Sequence, residues 1–392
     1  MRSPRVEPGR QPGKLTAPHF VAPNVASRPA PRREGSPGGP SEADGDNCRC
    51  GADPDLAKES MSEIPFTGFY PSRPFWAGDK LTLKGELPSQ WQQDSFEAQM
   101  KKEVFTKETE SYALRVCRDG RILLRVPALE HDNHIDKLSG YLDYLNAFYL
   151  LLDSATLEID HRSHFNLHEL THRDVIRVTY REDGTVSENL PSESVASTFQ
   201  LGRYLSSYRP DLPIRLDSRI SMRQVSVVSL KAITHACTLF ESVVSSPQIV
   251  TTLSSFAKSL AQYKVENYSI SLILAWFIIE SDINRLWKQK IDSLNHDIRG
   301  VRRINSDRKK YLTGRDFTIS IVSNMTELFG VLDHALFKDI DRIRKCRNDL
   351  VHEEKLPSAA DACLAMKTAL SMIESRWSVK LTPNFSRSRL SF

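Results

Sequence analysis

The chain has 392 residues, 40% hydrophobic and 26% charged, which is room for two or three domains with cores of their own. Its 53 basic and 49 acidic residues leave a net charge of +4, so the chain as a whole is not a polycation and any basic surface has to be local. The longest apolar run, Ile270–Ile279 with Ser271 as its one polar residue, is closed by Glu280 and is too short to span a bilayer, so no membrane partner is expected.

Behind Arg2 and Arg5 there is no apolar stretch, and a secretory signal is not expected. Residues 1–60 hold ten of the 21 prolines and seven of the 17 glycines, with few large apolar side chains to offset the cost of ordering. They are expected to form a disordered leader. The six cysteines, at 48, 50, 117, 237, 346 and 363, make no dense framework and read as reduced thiols of a cytoplasmic protein. Cys48 and Cys50 have no four-ligand zinc spacing around them.

Residues 61–215 carry mixed signals. Lys80–Leu87 and Arg121–Val126 alternate apolar and polar residues as strands do, the second after an Asp119-Gly120 turn. Leu138, Tyr141, Leu142, Leu145, Phe148 and Leu152 stand at helical spacing. Asp174–Tyr180 alternates again, and Asp183-Gly184 predicts a hairpin after it. The expected fold here is an α+β domain with a sensing or regulatory role, ending at a hinge marked by Pro210 and Pro213.

Residues 216–392 are expected to be an all-α helical bundle. Ser246-Pro247 offers a cap and a first-turn proline ahead of Ile249, Val250, Leu253, Phe256 and Leu260. Tyr268–Trp287 is apolar nearly all round and reads as a buried helix, with Trp276 and Trp287 in the core. Helices are predicted over Phe317–Leu332, Leu336–Val351 and Ser358–Ile373, giving five or six in all with short connections.

The stretch richest in chemistry is Asp339–Glu354, DIDRIRKCRNDLVHEE. Ile340, Ile343, Leu350 and Val351 are expected to face the core, with Arg347, Asn348 and His352 projecting elsewhere. Asn348 and His352 are four apart and share a face, whereas Arg347 and His352 are separated by about 140° on an ideal helix. Arg347 would then reach a cleft shared with His352 through its long side chain, through a bent helix end, or across a subunit interface.

Arg347-Asn348-x-x-x-His352 resembles the R-x4–6-H signature of HEPN domains, with the polar residue that often follows the arginine. Leu272–Trp287 resembles the early HEPN helix with its aromatic and acidic residues, and the likeness extends over 265–378, the HEPN-like core. The layout of a mixed region before such a bundle is similar to ApeA-like anti-phage HEPN proteins. This resemblance implies a homodimeric, metal-independent endoribonuclease without cofactors, acting as a toxin or defence effector released by a phage-derived or host trigger. It further implies that His352 moves protons, that Arg347 holds the scissile phosphate, that Asn348 orients one of them, and that Glu280 braces Arg347. The alternative within the family is a catalytically silent interaction or nucleotide-binding module.

Between Arg285 and Arg315 ten basic residues face three aspartates, and Arg299, Arg302, Arg303, Lys309 and Lys310 are the predicted nucleic-acid contacts. A rival pattern is His168-Glu169-Leu170-Thr171-His172, which satisfies H-E-x-x-H; on a helix its two histidines would bind zinc and its glutamate would activate water. His161 and His164 would extend that face. Arg173-Asp174 and the strand pattern that follows place the motif instead in a loop or short helix, as exposed polar residues with no recognisable third-ligand motif, although Glu188 and Glu193 are available.

Overall fold

The computed structural model describes residues 63–71, 75–79, 101–130, 134–182, 186–189, 226–298 and 300–386. The expected leader, the Lys80–Leu87 strand, the Asp183-Gly184 turn and the hinge at Pro210 and Pro213 lie outside them, as does Arg299.

An antiparallel sheet of six strands is built from β1 (Glu63–Phe69), β3 (Glu103–Glu108), β4 (Ala113–Cys117), β5 (Ile122–Arg125), β6 (Ile176–Arg181) and β7 (Val186–Asn189). Their order is β3-β4-β5-β1-β6-β7. The Asp119-Gly120 turn joins β4 to β5, and Gly120 takes the positive φ of 83° that glycine tolerates. β1 and β5 are the two innermost strands, and Gly68 of β1 lies opposite Leu123 of β5 and Ile176 of β6. Alternation divides the side chains. Phe69, Leu114, Val116, Ile122 and Leu124 join the main core, whereas Phe66, Ala113, Cys117, Leu123, Ile176 and Val178 form a second cluster on the other face. On that second face the Arg115 guanidinium lies 4.5 Å from the Phe66 ring centroid and 4.1 Å from that of Tyr180, and it pairs with Glu103 at 3.0 Å.

Two short strands, β2 (Phe75–Ala77) and β8 (Ser226–Val228), pair in parallel. The helix predicted over 138–152 runs longer, as α1 (His134–Ile159), and its face of Tyr141, Leu145, Phe148 and Leu152 is buried. Helices α2 (Leu230–Val243) and α3 (Pro247–Lys264) pack on α1, so the helix of the mixed region and those of the helical region share one continuous core. The described residues all belong to one compact unit.

The rest is helical apart from a hairpin. α4 (Tyr268–Leu294) is followed by β9 (Asp297–Ile298), β10 (Val301–Arg302), α5 (Ser306–Leu312), α6 (Ile319–Leu328), α7 (His334–Glu353) and α8 (Ala359–Trp377). Local chemistry starts most of them. Ser229, Asn267, Asn305 and Asp333 cap α2, α4, α5 and α7, and Ser358 with Asp361 closes a reciprocal capping box on α8. Ser246 sits at the start of α3 without using its hydroxyl as a cap, leaving Pro247 to set the first turn. α4 is the central member, packed against α3, α6, α7 and α8.

One expectation for α4 needs correction. Ala275, Trp276, Ile279 and Ile283 are buried, but Ile270 and Phe277 are exposed, with Ile273 and Leu274 half-buried between them. The helix is enclosed on its remaining sides only; four neighbours do not surround a cylinder, and the uncovered stripe in its first half is apolar. Among the described residues no helix is long and apolar enough to cross a membrane.

Candidate functional site

Helix α7 carries the arginine–histidine motif. Asp333 accepts from the Leu336 amide at 2.9 Å to start it, and Ile340 and Ile343 bury its inner face. Arg347 follows Ile340 by seven residues, two turns on, and so lies within about 20° of it around the axis. It therefore points to the bundle side rather than elsewhere, which corrects the sequence expectation. The apolar stripe thins at this end of the helix: Leu350 still packs against the main core but is only half-buried, and Val351 is 48% exposed. Arg347 takes the place a further core residue would have had.

The partners of Arg347 set it apart from its neighbours. Arg342 pairs with Asp361 at 2.8 Å, and Arg344 and Lys345 pair with Asp341 at 2.7 and 2.8 Å. Arg347 donates through Nη1 to the Asn348 side-chain oxygen at 3.1 Å, and its buried Nε has no hydrogen-bond partner. Among the described residues no carboxylate comes within ion-pair distance of it. A half-buried guanidinium held by one neutral amide is under-compensated, and an entering oxyanion would supply the acceptors it lacks.

His352 is exposed and stands one turn beyond the half-buried Asn348. The helix stays regular through Glu353 and closes on Glu354, which adopts a left-handed φ of 54° and donates its N–H to the Asp349 carbonyl. No bend swings His352 toward Arg347, so the two groups face different sides of one chain. Beside His352, Val351 and the 76% exposed Leu356 leave an apolar rim.

Glu280 is half-buried on α4, which packs against α7, but no ion pair joins it to Arg347. The acid that α4 does bury is Asp282, which sequence reading missed. It accepts from Arg285 at 2.7 Å and from Arg376 of α8 at 3.3 Å, in a pocket also lined by Thr252, Ser281 and Trp377. Its signal was its place seven residues after Ala275 and three after Ile279, squarely on the buried face. Burial and the nearby Arg285 push the Arg376 pKa down.

The basic stretch forms the β9–β10 hairpin and α5. Arg302, Arg303, Lys309 and Lys310 are all exposed. Lys309 is drawn to Asp292 at 2.5 Å, and Arg308 donates to the Arg303 carbonyl at 3.4 Å.

The H-E-x-x-H residues lie in irregular chain between α1 and β6, so His161, His164, His168 and His172 do not line one side of a helix. Nor are they uniformly exposed. His164 is buried, and His168 packs edge-on against Tyr149 with ring centroids 5.6 Å apart. Burial lowers the pKa of both histidines. Glu169 accepts from Gln262 at 3.4 Å, while His172 is exposed. Among the described residues no group of three or more His, Cys, Asp or Glu side chains is placed to hold a metal ion.

Compared with the profiles of known families, with curated proteins and with solved structures, the chain matches none of them.

Proposed function

We propose that the protein is an endoribonuclease of HEPN type that works as a homodimer, with Arg347, Asn348 and His352 as its chemical groups. One observation carries the proposal: Arg347 is a half-buried guanidinium with no carboxylate among the described residues, held by the very residue that follows it in the motif. A buried cation without an anion costs stability, and a phosphodiester in contact with it would recover that cost. His352 is free in solvent to move a proton. In the reaction His352 takes the proton of the 2′-hydroxyl, the 2′-oxygen bonds to phosphorus, and the bond to the 5′-oxygen breaks. The protonated His352 gives its proton up to the leaving oxygen, which restores the neutral imidazole, and the products are a 2′,3′-cyclic phosphate and a 5′-hydroxyl. Arg347 offsets the charge that gathers on the phosphoryl oxygens.

The geometry also supports the dimer. Arg347 and His352 sit about 140° apart on an unbent helix, so one phosphate meets both most readily when they come from different copies. Val351, Leu356, Ile270 and Phe277 are exposed apolar surface of the kind that a second copy would cover. The exposed cations Arg302 and Arg303 at the hairpin and Lys309 and Lys310 on α5 would track the RNA backbone, and a phage-derived or host trigger acting through the sheet region would raise a basal cleavage that the purified chain already shows.

A mixing experiment tests this arrangement. Arg347→Ala and His352→Ala chains are each expected to be inactive. In a two-fold dimer with composite sites, every mixed dimer keeps one intact site, so refolding the two together should restore roughly a quarter of wild-type cleavage. No recovery in mixed dimers shown to have formed would contradict a site shared between copies.

A further inference from the structure

Four aromatic rings form a row at the far end of α4. Tyr311 meets Phe317 edge-on with centroids 5.7 Å apart. Phe317 stacks on Trp287 at 5.9 Å, and Trp287 stacks on Phe329 at 6.2 Å. The middle is fixed, since Trp287 is buried and its indole N–H donates to the Leu312 carbonyl at 2.8 Å. Both ends open to solvent: Tyr311 is 60% exposed and Phe329 41%. Exposed aromatic faces held by a fixed stack are flat surfaces on which a planar ligand can lie.

The surroundings point to the occupant. Lys290 lies 5.4 Å from the Phe329 ring centroid. Lys310 is next to Tyr311 in sequence, and Lys288, Arg302, Arg303 and Arg315 are exposed nearby along the chain. Opposing acids are few, and Asp292 is already committed to Lys309. A planar ligand that carries a negative backbone fits both features.

We infer that this row is a stacking platform for single-stranded RNA, with unpaired bases on Tyr311 and Phe329 and the backbone along the hairpin and α5. The inference deepens the ribonuclease reading by naming the form of its substrate, and it rests on that reading for the choice of RNA. A duplex keeps its base faces covered, so it would use the cations and not the rings.

The test is binding of a labelled, unstructured 12-nucleotide RNA and of its duplex, read by fluorescence anisotropy on the full chain carrying His352→Ala, so that nothing is cleaved. Tyr311→Ala should weaken single-strand binding by about 5- to 150-fold and leave duplex binding within about twofold, while Tyr311→Phe retains the affinity. Arg303→Gln should lower the salt slope for the single strand by about 0.7 without altering the preference for single strands. Unchanged single-strand affinity in Tyr311→Ala would overturn the inference, as would equal losses on single strand and duplex, or no RNA binding at all. RNA bound through Tyr311 by a chain whose wild type cleaves nothing would sustain the platform and refute the nuclease. Cleavage that persists with Tyr311→Ala binding unaltered would do the reverse.

Discussion

Of the described glycines Gly68 has the least room for a side chain, and Gly68→Ala tests the register of β1. A Cβ added there would stand 2.4 Å from the Ile122 carbonyl oxygen and 2.5 Å from the Leu123 Cδ2, where such contacts begin only near 3.0 Å. The Leu123 methyl can rotate, but the Ile122 oxygen is backbone of the adjacent strand. Relief therefore means moving β1 off β5, which strains the ladder over Thr67–Phe69. Overpacking of this kind costs about 1–3 kcal/mol, and one or two weakened ladder bonds add about 1 kcal/mol each. Restricting the unfolded chain returns only about 0.4–1 kcal/mol. The net expectation is a loss of about 1–5 kcal/mol, read as a lower urea midpoint at unchanged slope. A neutral or stabilised variant would mean that β1 does not lie against β5 in this register.

Two further predictions concern Arg347 and the buried histidines. Arg347→Leu fills a core-facing position and removes a buried, unpartnered Nε, so it should raise stability by about 1 kcal/mol in urea unfolding while abolishing cleavage; a loss of stability would make the guanidinium a structural group. Burial lowers the pKa of His164 and His168, so below pH 6.5 the unfolded chain takes up protons that the folded one refuses. Each histidine thus contributes stability that is present above its unfolded pKa and lost as pH falls toward the lowered value, with a slope of up to about 1.4 kcal/mol per pH unit. Asp153, whose pKa burial pushes up to about 6, works oppositely: its contribution is full below the unfolded value and lost as pH rises to about 6. His164→Gln should flatten the stability curve just below pH 6.5 by one histidine's share, and an unchanged slope in urea titrations at several pH values would contradict a buried neutral His164.

Much of the fold is readable where one local rule acts alone. The Asp119-Gly120 turn needed only a glycine at positive φ, and the start of α8 needed only Ser358 and Asp361 three apart. Strand β4 escaped sequence reading because both of its faces are covered, so Ala113–Cys117 shows no clean alternation against water, and the edge strand β3 escaped because Val104 and Phe105 are its only apolar residues. The β9–β10 hairpin escaped because each strand is two residues long and half of Asp297–Arg302 is charged. In the candidate site, helical spacing was enough to separate Arg347 from His352, but which of them faces the bundle depended on where the bundle ends. Leu350 packs against the core as its spacing implies, whereas Val351 is exposed, and the half-buried Arg347 lies on the Ile340 side of the helix. The H-E-x-x-H pattern shows the converse: its spacing means zinc only on a helix, and here α1 has already ended at Ile159.

The most direct test of the account is cleavage of total RNA by purified wild type, His352→Ala and Glu169→Ala, each with and without EDTA. The account predicts cleavage that survives chelation and Glu169→Ala, leaves 2′,3′-cyclic phosphate ends, and falls by about 10²–10⁴-fold in His352→Ala. Cleavage undiminished in a folded His352→Ala chain, or lost on chelation together with Glu169→Ala, would contradict it.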